Sequence, residues 1–277
     1  MKTILITTDF SESAKNAADY AAQLSKITSS PLILFHSWSI PVMSSESFSV
    51  PISLDELEKS ALYTLHTEAK RLQKKWGVHV ETEQKPGFAS EEIANCAREN
   101  KVGLIIMGME HRNKIGRVLG SVSTSLLHQN EFPILIVPSN IAYSRPHIFL
   151  FATDLHSKSE WQEFDLLADL ATHFHAGLHI LNAVEKEYAG NVSESQLGIR
   201  LEERLKNFSH TWHFPSDGDV VHAISKTAKE VSADWIAVVP HQLPWFKNLF
   251  HHSISSELTY SSNCPILALP ERSVKMS

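Results

Sequence analysis

Two segments of the chain occur twice, and this internal repeat constrains the fold more than any other feature. ILITTD at 4–9 recurs as FLFATD at 149–154, and FPILIVP at 132–138 recurs as CPILALP at 264–270. The copies lie 154 − 9 = 145 residues apart at the first segment and 265 − 133 = 132 residues apart at the second, so the second copy is shorter. Such a repeat predicts two domains that share one fold.

The length of 277 residues is sufficient for two domains that each bury their own core. The repeat places a first domain at 1–138, a linker at 139–146 and a second domain at 147–277. The linker begins directly after the last apolar run of the first copy.

Within each copy, short apolar runs alternate with helical patterns. LILF at 32–35 and LIIM at 104–107 are typical of buried strands, and Ser53 with Glu56 predicts a capping box at the start of a helix. A spacing of three or four residues marks one helix face in two series: Leu57, Ala61, Leu65, Ala69, Leu72 and Trp76, then Trp161, Phe164, Leu167, Ala168 and Ala171. The alternation predicts α/β architecture, with two tandem doubly wound domains, each a five-stranded mostly parallel sheet with helices on both faces.

The last strand of each copy is apolar and bounded by proline, so an exposed sheet edge at this strand would need to be covered. Pairing the two copies edge to edge covers both strands at once. We therefore expect a pseudo-twofold internal dimer, and a further homodimer is left open.

Composition argues against several classes of partner. A formal net charge of −6 offers no basic field for nucleic acid or for an anionic membrane, and no apolar stretch is long enough for a transmembrane span. The two cysteines, Cys96 and Cys264, suit a reducing compartment, so we expect a cytoplasmic protein. The sixteen histidines include the pairs His173/His175 and His251/His252, which lack further ligands at a known spacing, so no metal site is predicted.

Open parallel sheets bind ligands beyond the carboxyl ends of their strands, so the residues that follow each strand are candidates. Thr8 and Asp9 end the first strand, where Asp9 caps a helix, accepts a hydrogen bond from a ribose or base, or holds a hydrated metal. Ser37 ends the second strand, where its backbone either contacts an adenine edge or faces solvent. A third stretch, at 108–123, leaves a strand and enters a helix, and its glycines and serines suit a phosphate site.

These residues resemble the universal stress protein family, whose nucleotide-binding members carry Thr-Asp after the first strand and Gly-x2-Gly-x9-Gly-Ser/Thr after the fourth. The resemblance covers nearly the whole chain, twice. It implies that Asp9 and the backbone at Ser37 serve the adenosine, and it assigns the phosphates to a second group, Gly108, Gly120, Ser121 and Ser123. His111 stands where the second glycine of the family pattern belongs, and the loop is one residue short.

The second copy departs further from the family pattern. Val239 replaces Gly108, Gln242 replaces His111, and His252 with Ser253 replaces Gly120 with Ser121. Because no motif glycine survives, we expect no equivalent nucleotide site in the second domain.

The leading hypothesis is a cytoplasmic stress-response protein that binds ATP, ADP or AMP in its first domain, with or without Mg²⁺, in a regulatory role. The alternative is a scaffold of the same family that binds no nucleotide and acts through an unidentified protein partner. An ATP-hydrolysing enzyme is a third reading, for which the sequence offers no identifiable base or arginine finger and no Gly-Lys-Ser/Thr pattern, although slow hydrolysis is left open.

Overall fold

The computed structural model describes residues 2–38, 53–112, 116–118, 120–153, 162–182, 196–206, 208–215, 220–239 and 264–270. Its helices are α1 Glu12–Thr28, α2 Leu54–Trp76, α3 Ala89–Glu99, α4 Ser121–Gln129, α5 Gln162–Phe174, α6 Gln196–Leu205 and α7 Val220–Glu230. Its strands are β1 Ile4–Thr7, β2 Leu32–Trp38, β3 Val80–Pro86, β4 Leu104–Arg112, β5 Gly116–Val118, β6 Ile134–Pro138, β7 Ile148–Thr153, β8 Gly177–Asn182, β9 His210–His213, β10 Trp235–Val238 and β11 Ile266–Ala268. No helix in these ranges combines the length and apolar character that a membrane crossing requires.

Ten of the described strands form one continuous sheet in the order β3-β2-β1-β4-β6-β11-β10-β7-β8-β9, and β5 pairs with β4 beside it. Each half of this order contains five parallel strands with the same connectivity. The predicted pair of doubly wound, five-stranded domains is therefore confirmed.

The two domains meet where β6 and β11 pair in an antiparallel sense. Leu135 lies opposite Leu267, flanked by Ile136 opposite Ile266 and Ile134 opposite Ala268. The repeat offset of 132 residues makes Leu267 the counterpart of Leu135, so the pairing is symmetric about these two residues. The expected edge-to-edge pseudo-twofold arrangement is confirmed.

Successive strand residues point to opposite faces of the sheet, and both faces are covered. Ile4 and Ile6 pack in a core layer with residues of α1, α2, α5 and α6, whereas Leu5 packs in a second layer with residues of α3, α4 and α7. Both layers continue from the first domain into the second. The sheet is therefore the central layer of three.

The predicted helix features are mostly found. The Ser53 side chain accepts a 3.1 Å hydrogen bond from the Glu56 N–H at the start of α2. Along the predicted face of α2, three residues are buried, Leu65, Ala69 and Leu72, and Leu57, Ala61 and Trp76 are half-buried. In α5 the buried members of the predicted face are Phe164, Leu167 and Ala171; Trp161 lies outside the described residues.

A buried hydrogen bond joins α1 of the first domain to β10 of the second. Trp235 Nε1 donates to the Tyr20 hydroxyl at 2.6 Å, and both side chains are almost fully buried. On the same helix, Asn16 Nδ2 donates to the carbonyls of Pro138 and Ile141, each at 2.9 Å. Helix α1 thus contacts both the second domain and the segment that leads to it.

Candidate ligand-binding site

A cavity of about 770 Å³ lies at the carboxyl ends of β1 and β4. Strand β1 pairs with β2 on one side and with β4 on the other, so the order of the strands reverses at this point. Such a switch leaves a crevice because the two connections leave in opposite directions. The cavity occupies the position that the strand-end argument predicts.

The turn between β1 and α1 directs Asp9 to this cavity. Asp9 Oδ1 accepts hydrogen bonds from the Ser11 N–H at 3.0 Å and from the Ser11 hydroxyl at 2.5 Å. Ser11, rather than Asp9, is the N-cap of α1, since its hydroxyl accepts from the Ala14 N–H at 3.2 Å. The capping role considered for Asp9 is therefore indirect, and no described residue donates a hydrogen bond to its second oxygen.

Phe10, beside Asp9, has a left-handed backbone with φ 64°, which is unusual for a bulky residue. Its ring lies 4.5 Å from the His36 ring, and His36 Nδ1 lies 2.7 Å from the Thr8 carbonyl oxygen. The Thr8 hydroxyl in turn accepts from the Phe10 N–H at 3.0 Å. These contacts fix the turn that carries Asp9.

Ser37, at the end of β2, lines the cavity. Its hydroxyl donates to the Gly87 carbonyl at 3.0 Å, which ties β2 to the connection between β3 and α3. Gly87 has φ 141°, a conformation that few other residues adopt. This conformation, at the turn between β3 and α3, explains why a glycine stands at position 87.

Gly108 lies on β4, directly beneath the first turn of α1. A Cβ atom at this position would lie 2.3 Å from the Ser13 carbonyl oxygen and 2.8 Å from the Ala14 nitrogen. The glycine is therefore needed for the close approach of helix and strand. The sequence interpretation, in which this glycine makes room for a phosphate, missed that packing reason.

Gly120 has the opposite environment. It is the N-cap residue of α4, its φ is −67°, and a Cβ atom would meet nothing within 4 Å. No side chain caps the helix, so the N–H groups of the first turn face the cavity without a described acceptor. Ser123 in this turn is 4% exposed and lines the cavity, and its hydroxyl has no partner among the described residues, whereas Ser121 is exposed.

The sequence predicts a loop between Gly108 and Gly120, and this prediction is wrong for part of the stretch. Instead of an open loop, β4 continues to Arg112 and pairs with β5 as an antiparallel hairpin, with His111 opposite Arg117. The described residues that line the cavity do not include His111, and its side chain lies outside the described part of the chain. Antiparallel strands can be joined by a short connection, so the glycines of this stretch do not require an open loop.

The structure thus brings seven of the eight predicted site residues together, namely Thr8, Asp9, Ser37, Gly108, Gly120, Ser121 and Ser123. Their role in binding stays a prediction. Sequence reasoning missed the apolar wall, to which α3 contributes Ala89 and Ile93, and it missed Ser139. Applying the strand-end argument to β6 would have found Ser139, which follows that strand directly.

Acidic groups also line the cavity, in contrast to a fully basic phosphate site. Glu12 and Glu110 join Asp9 in the lining. A hydrogen bond from Lys15 Nζ, at 2.7 Å, lowers the pKa of Glu12 from its ordinary value. Among the described residues no group of three or more His, Cys, Asp or Glu side chains could hold a metal ion.

In the second domain the counterpart of Gly108 is Val239, which packs against the core and is half-buried. The other predicted changes, at Gln242, His252 and Ser253, lie outside the described residues, as does Asp154, the retained counterpart of Asp9. The expected loss of the second site therefore stays a prediction.

The fold and cavity define a class of tandem α/β proteins with a ligand-sized crevice at the switch point of the first sheet. Residues 1–138 match the model of the universal stress protein family. The universal stress protein MJ0531 of Methanocaldococcus jannaschii is 27% identical over 138 residues, which are 49% of this chain and 81% of that protein. Through its first domain, the chain belongs to the universal stress protein family.

Solved structures extend the likeness in fold to the whole chain. A universal stress protein from Archaeoglobus fulgidus DSM 4304 matches 98% of both chains with a TM-score of 0.73 and 19% identity. PA1789, a protein of unknown function from Pseudomonas aeruginosa PAO1, matches 97% of this chain and 92% of its own with a TM-score of 0.58 and 18% identity. At this identity the likeness concerns the fold alone.

Proposed function

We propose that the first domain binds an adenine nucleotide and that the protein acts in a stress response as a regulatory rather than a catalytic component. The observation that carries the proposal is the combination, in one cavity, of an uncapped helix N-terminus with an apolar wall. A nucleotide presents the complementary groups, a phosphate that can accept hydrogen bonds from the helix and a flat base whose faces can pack against the wall.

The phosphate end of the proposed ligand lies at α4. The N–H groups at a helix N-terminus and the dipole of the helix attract an anion. Ser123 lines the cavity and has no side-chain partner among the described residues, so its hydroxyl can donate a hydrogen bond to a phosphate oxygen. Ser121 is a second hydroxyl at the same helix end.

The base end lies against apolar side chains. Phe35, Ile93 and Met107 line the cavity, and the faces of a ring inserted against them would be removed from water. Asp9, with one carboxylate oxygen not used by Ser11, suits an amino group of adenine or a ribose hydroxyl. Cytoplasmic location and the second domain as a built-in dimer partner are parts of the same proposal.

The test is calorimetric titration of the whole chain with AMP and with ATP, with and without Mg²⁺. We expect binding in the micromolar range and a loss of at least about tenfold in Gly120→Asp, because its carboxylate would cap α4 and repel the phosphate. Gly120→Asn is the matched variant, since asparagine caps a helix equally well without the charge and should lose less affinity.

A second control removes a cap outside the cavity. Ser53→Ala removes the cap of α2, which should lower stability by about 1 kcal/mol and leave nucleotide affinity unchanged. If no adenine nucleotide binds the wild type in the micromolar range, the scaffold reading replaces this proposal. If Gly120→Asp binds as tightly as the wild type, the phosphate does not lie at α4.

A further inference from the structure

The hairpin of β4 and β5 occupies most of the stretch that the family pattern assigns to phosphates. Glu110 pairs with Val118, His111 with Arg117 and Arg112 with Gly116. These residues lie between Gly108 and Gly120, where an open loop would otherwise wrap a chain of phosphates. The pairing therefore changes which backbone groups a ligand can reach.

An extended strand cannot cradle a phosphate as a loop does. A phosphate cradle needs successive N–H groups that converge on one point, and this requires alternating right- and left-handed backbone conformations. In a strand, successive N–H groups point to opposite sides, and in a hairpin those on one side bond to the partner strand. Neither 110–112 nor 116–118 can direct consecutive N–H groups at one ligand oxygen.

Among the described backbone groups of this stretch, those at the N-terminus of α4 are the ones that can bind an anion. This N-terminus offers the uncapped first turn that begins after Gly120, and Ser123, a residue that is 4% exposed and lines the cavity, adds a hydroxyl without a partner among the described residues. Three N–H groups and one or two hydroxyls match the oxygens of a single phosphate. A second and third phosphate would meet the hairpin side of the cavity, where the backbone at 110–112 is paired with 116–118.

We propose that the first-domain cavity is selective for adenosine ligands that carry one phosphate over those that carry two or three. The inference rests on the proposed function, because it presumes that the adenosine occupies this cavity. It assigns the selectivity to the backbone of the hairpin and the affinity for phosphate to α4.

The test is a titration series of the whole chain with adenosine, AMP, ADP and ATP under one buffer condition without Mg²⁺, repeated with Mg²⁺. We expect AMP to bind at least about tenfold more tightly than adenosine, since charge-assisted hydrogen bonds to the α4 N–H groups strengthen binding. ADP and ATP should bind at least about threefold more weakly than AMP, because their further phosphates gain no converging N–H groups. Binding of ADP or ATP as tightly as AMP, or more tightly, overturns the inference and leaves the proposed function standing; absence of binding by all four ligands overturns both.

Two variants separate the contributions of helix and hairpin. Ser123→Ala should reduce AMP affinity by about tenfold and leave adenosine affinity within about twofold, because only the phosphate contact is removed. His111→Gly lowers the strand propensity of the hairpin and should raise the affinity for ATP relative to AMP by several-fold. Equal losses for AMP and adenosine in Ser123→Ala, or an unchanged ATP to AMP ratio in His111→Gly, would contradict the assignment.

Discussion

Gly108 and Gly120 belong to one sequence motif, and the structure predicts opposite consequences for their replacement by alanine. In Gly108→Ala the new Cβ atom would lie 2.3 Å from the Ser13 carbonyl oxygen, where ordinary contact begins at 3.4 Å. The first turn of α1 must therefore retreat by about 1 Å, the difference between these distances. The colliding atoms belong to the backbone, so no side-chain rotation can relieve the contact.

The cost of this collision can be estimated from overpacked cores, where added methyl groups lower stability by about 1–3 kcal/mol. Because helix α1 also contacts the second domain through Tyr20, we expect the upper part of this range. A loss of about 3 kcal/mol lowers the melting temperature of a domain of this size by roughly 6–12 °C. Gly120→Ala meets no atom within 4 Å and should change stability by less than about 1 kcal/mol.

Urea unfolding of both variants, followed by circular dichroism and tryptophan fluorescence, measures the difference directly. Equal losses in the two variants would refute the reasoning, because the motif glycines would then share one structural role. A loss below about 0.5 kcal/mol in Gly108→Ala would also refute it, because α1 could then retreat without cost.

Two further predictions concern the second domain. Tyr20→Phe leaves the buried Trp235 Nε1 without its acceptor and should lower the free energy of unfolding by about 1–3 kcal/mol. The tryptophan fluorescence of the folded state should change as well. An unchanged free energy of unfolding would show that this hydrogen bond does not stabilise the protein. The pKa of His179 lies below its ordinary value of 6.5, mainly because the ring is partly buried and to a smaller extent because His213 lies beside it. The folded state therefore favours the neutral ring. This contribution to stability is complete above pH 6.5 and is lost as the pH falls below that value. The urea midpoints of the wild type and of His179→Gln should therefore converge as the pH is lowered. If the difference between the two midpoints does not change with pH, the pKa of His179 does not affect stability.

The domain pairing was predictable because each copy of the repeat ends in a similar apolar strand. Leu135 and Leu267 occupy corresponding places in two similar apolar strands, and two such strands at sheet edges have few ways to avoid exposure. The strand ends that build the cavity were predictable for the same reason, since Asp9 and Ser37 follow clear apolar runs.

The reasons for individual site residues were less accessible. The packing role of Gly108 depends on the distance between α1 and β4, which no local pattern contains. The hairpin was missed because Gly108, Gly116 and Gly120 suggest a loop, whereas residues 110–112 and 116–118 pair as strands. The apolar wall from α3 was missed because Ile93 has the same periodic spacing as a core residue.

The most direct test of nucleotide binding in the first domain is a crystal structure of the whole chain grown with saturating AMP. The account predicts phosphate oxygens within about 3 Å of the N–H groups in the first turn of α4 and of the Ser123 hydroxyl, with the base against Phe35 and Ile93. Density for the nucleotide outside this cavity, or an empty cavity at saturating AMP, would contradict it.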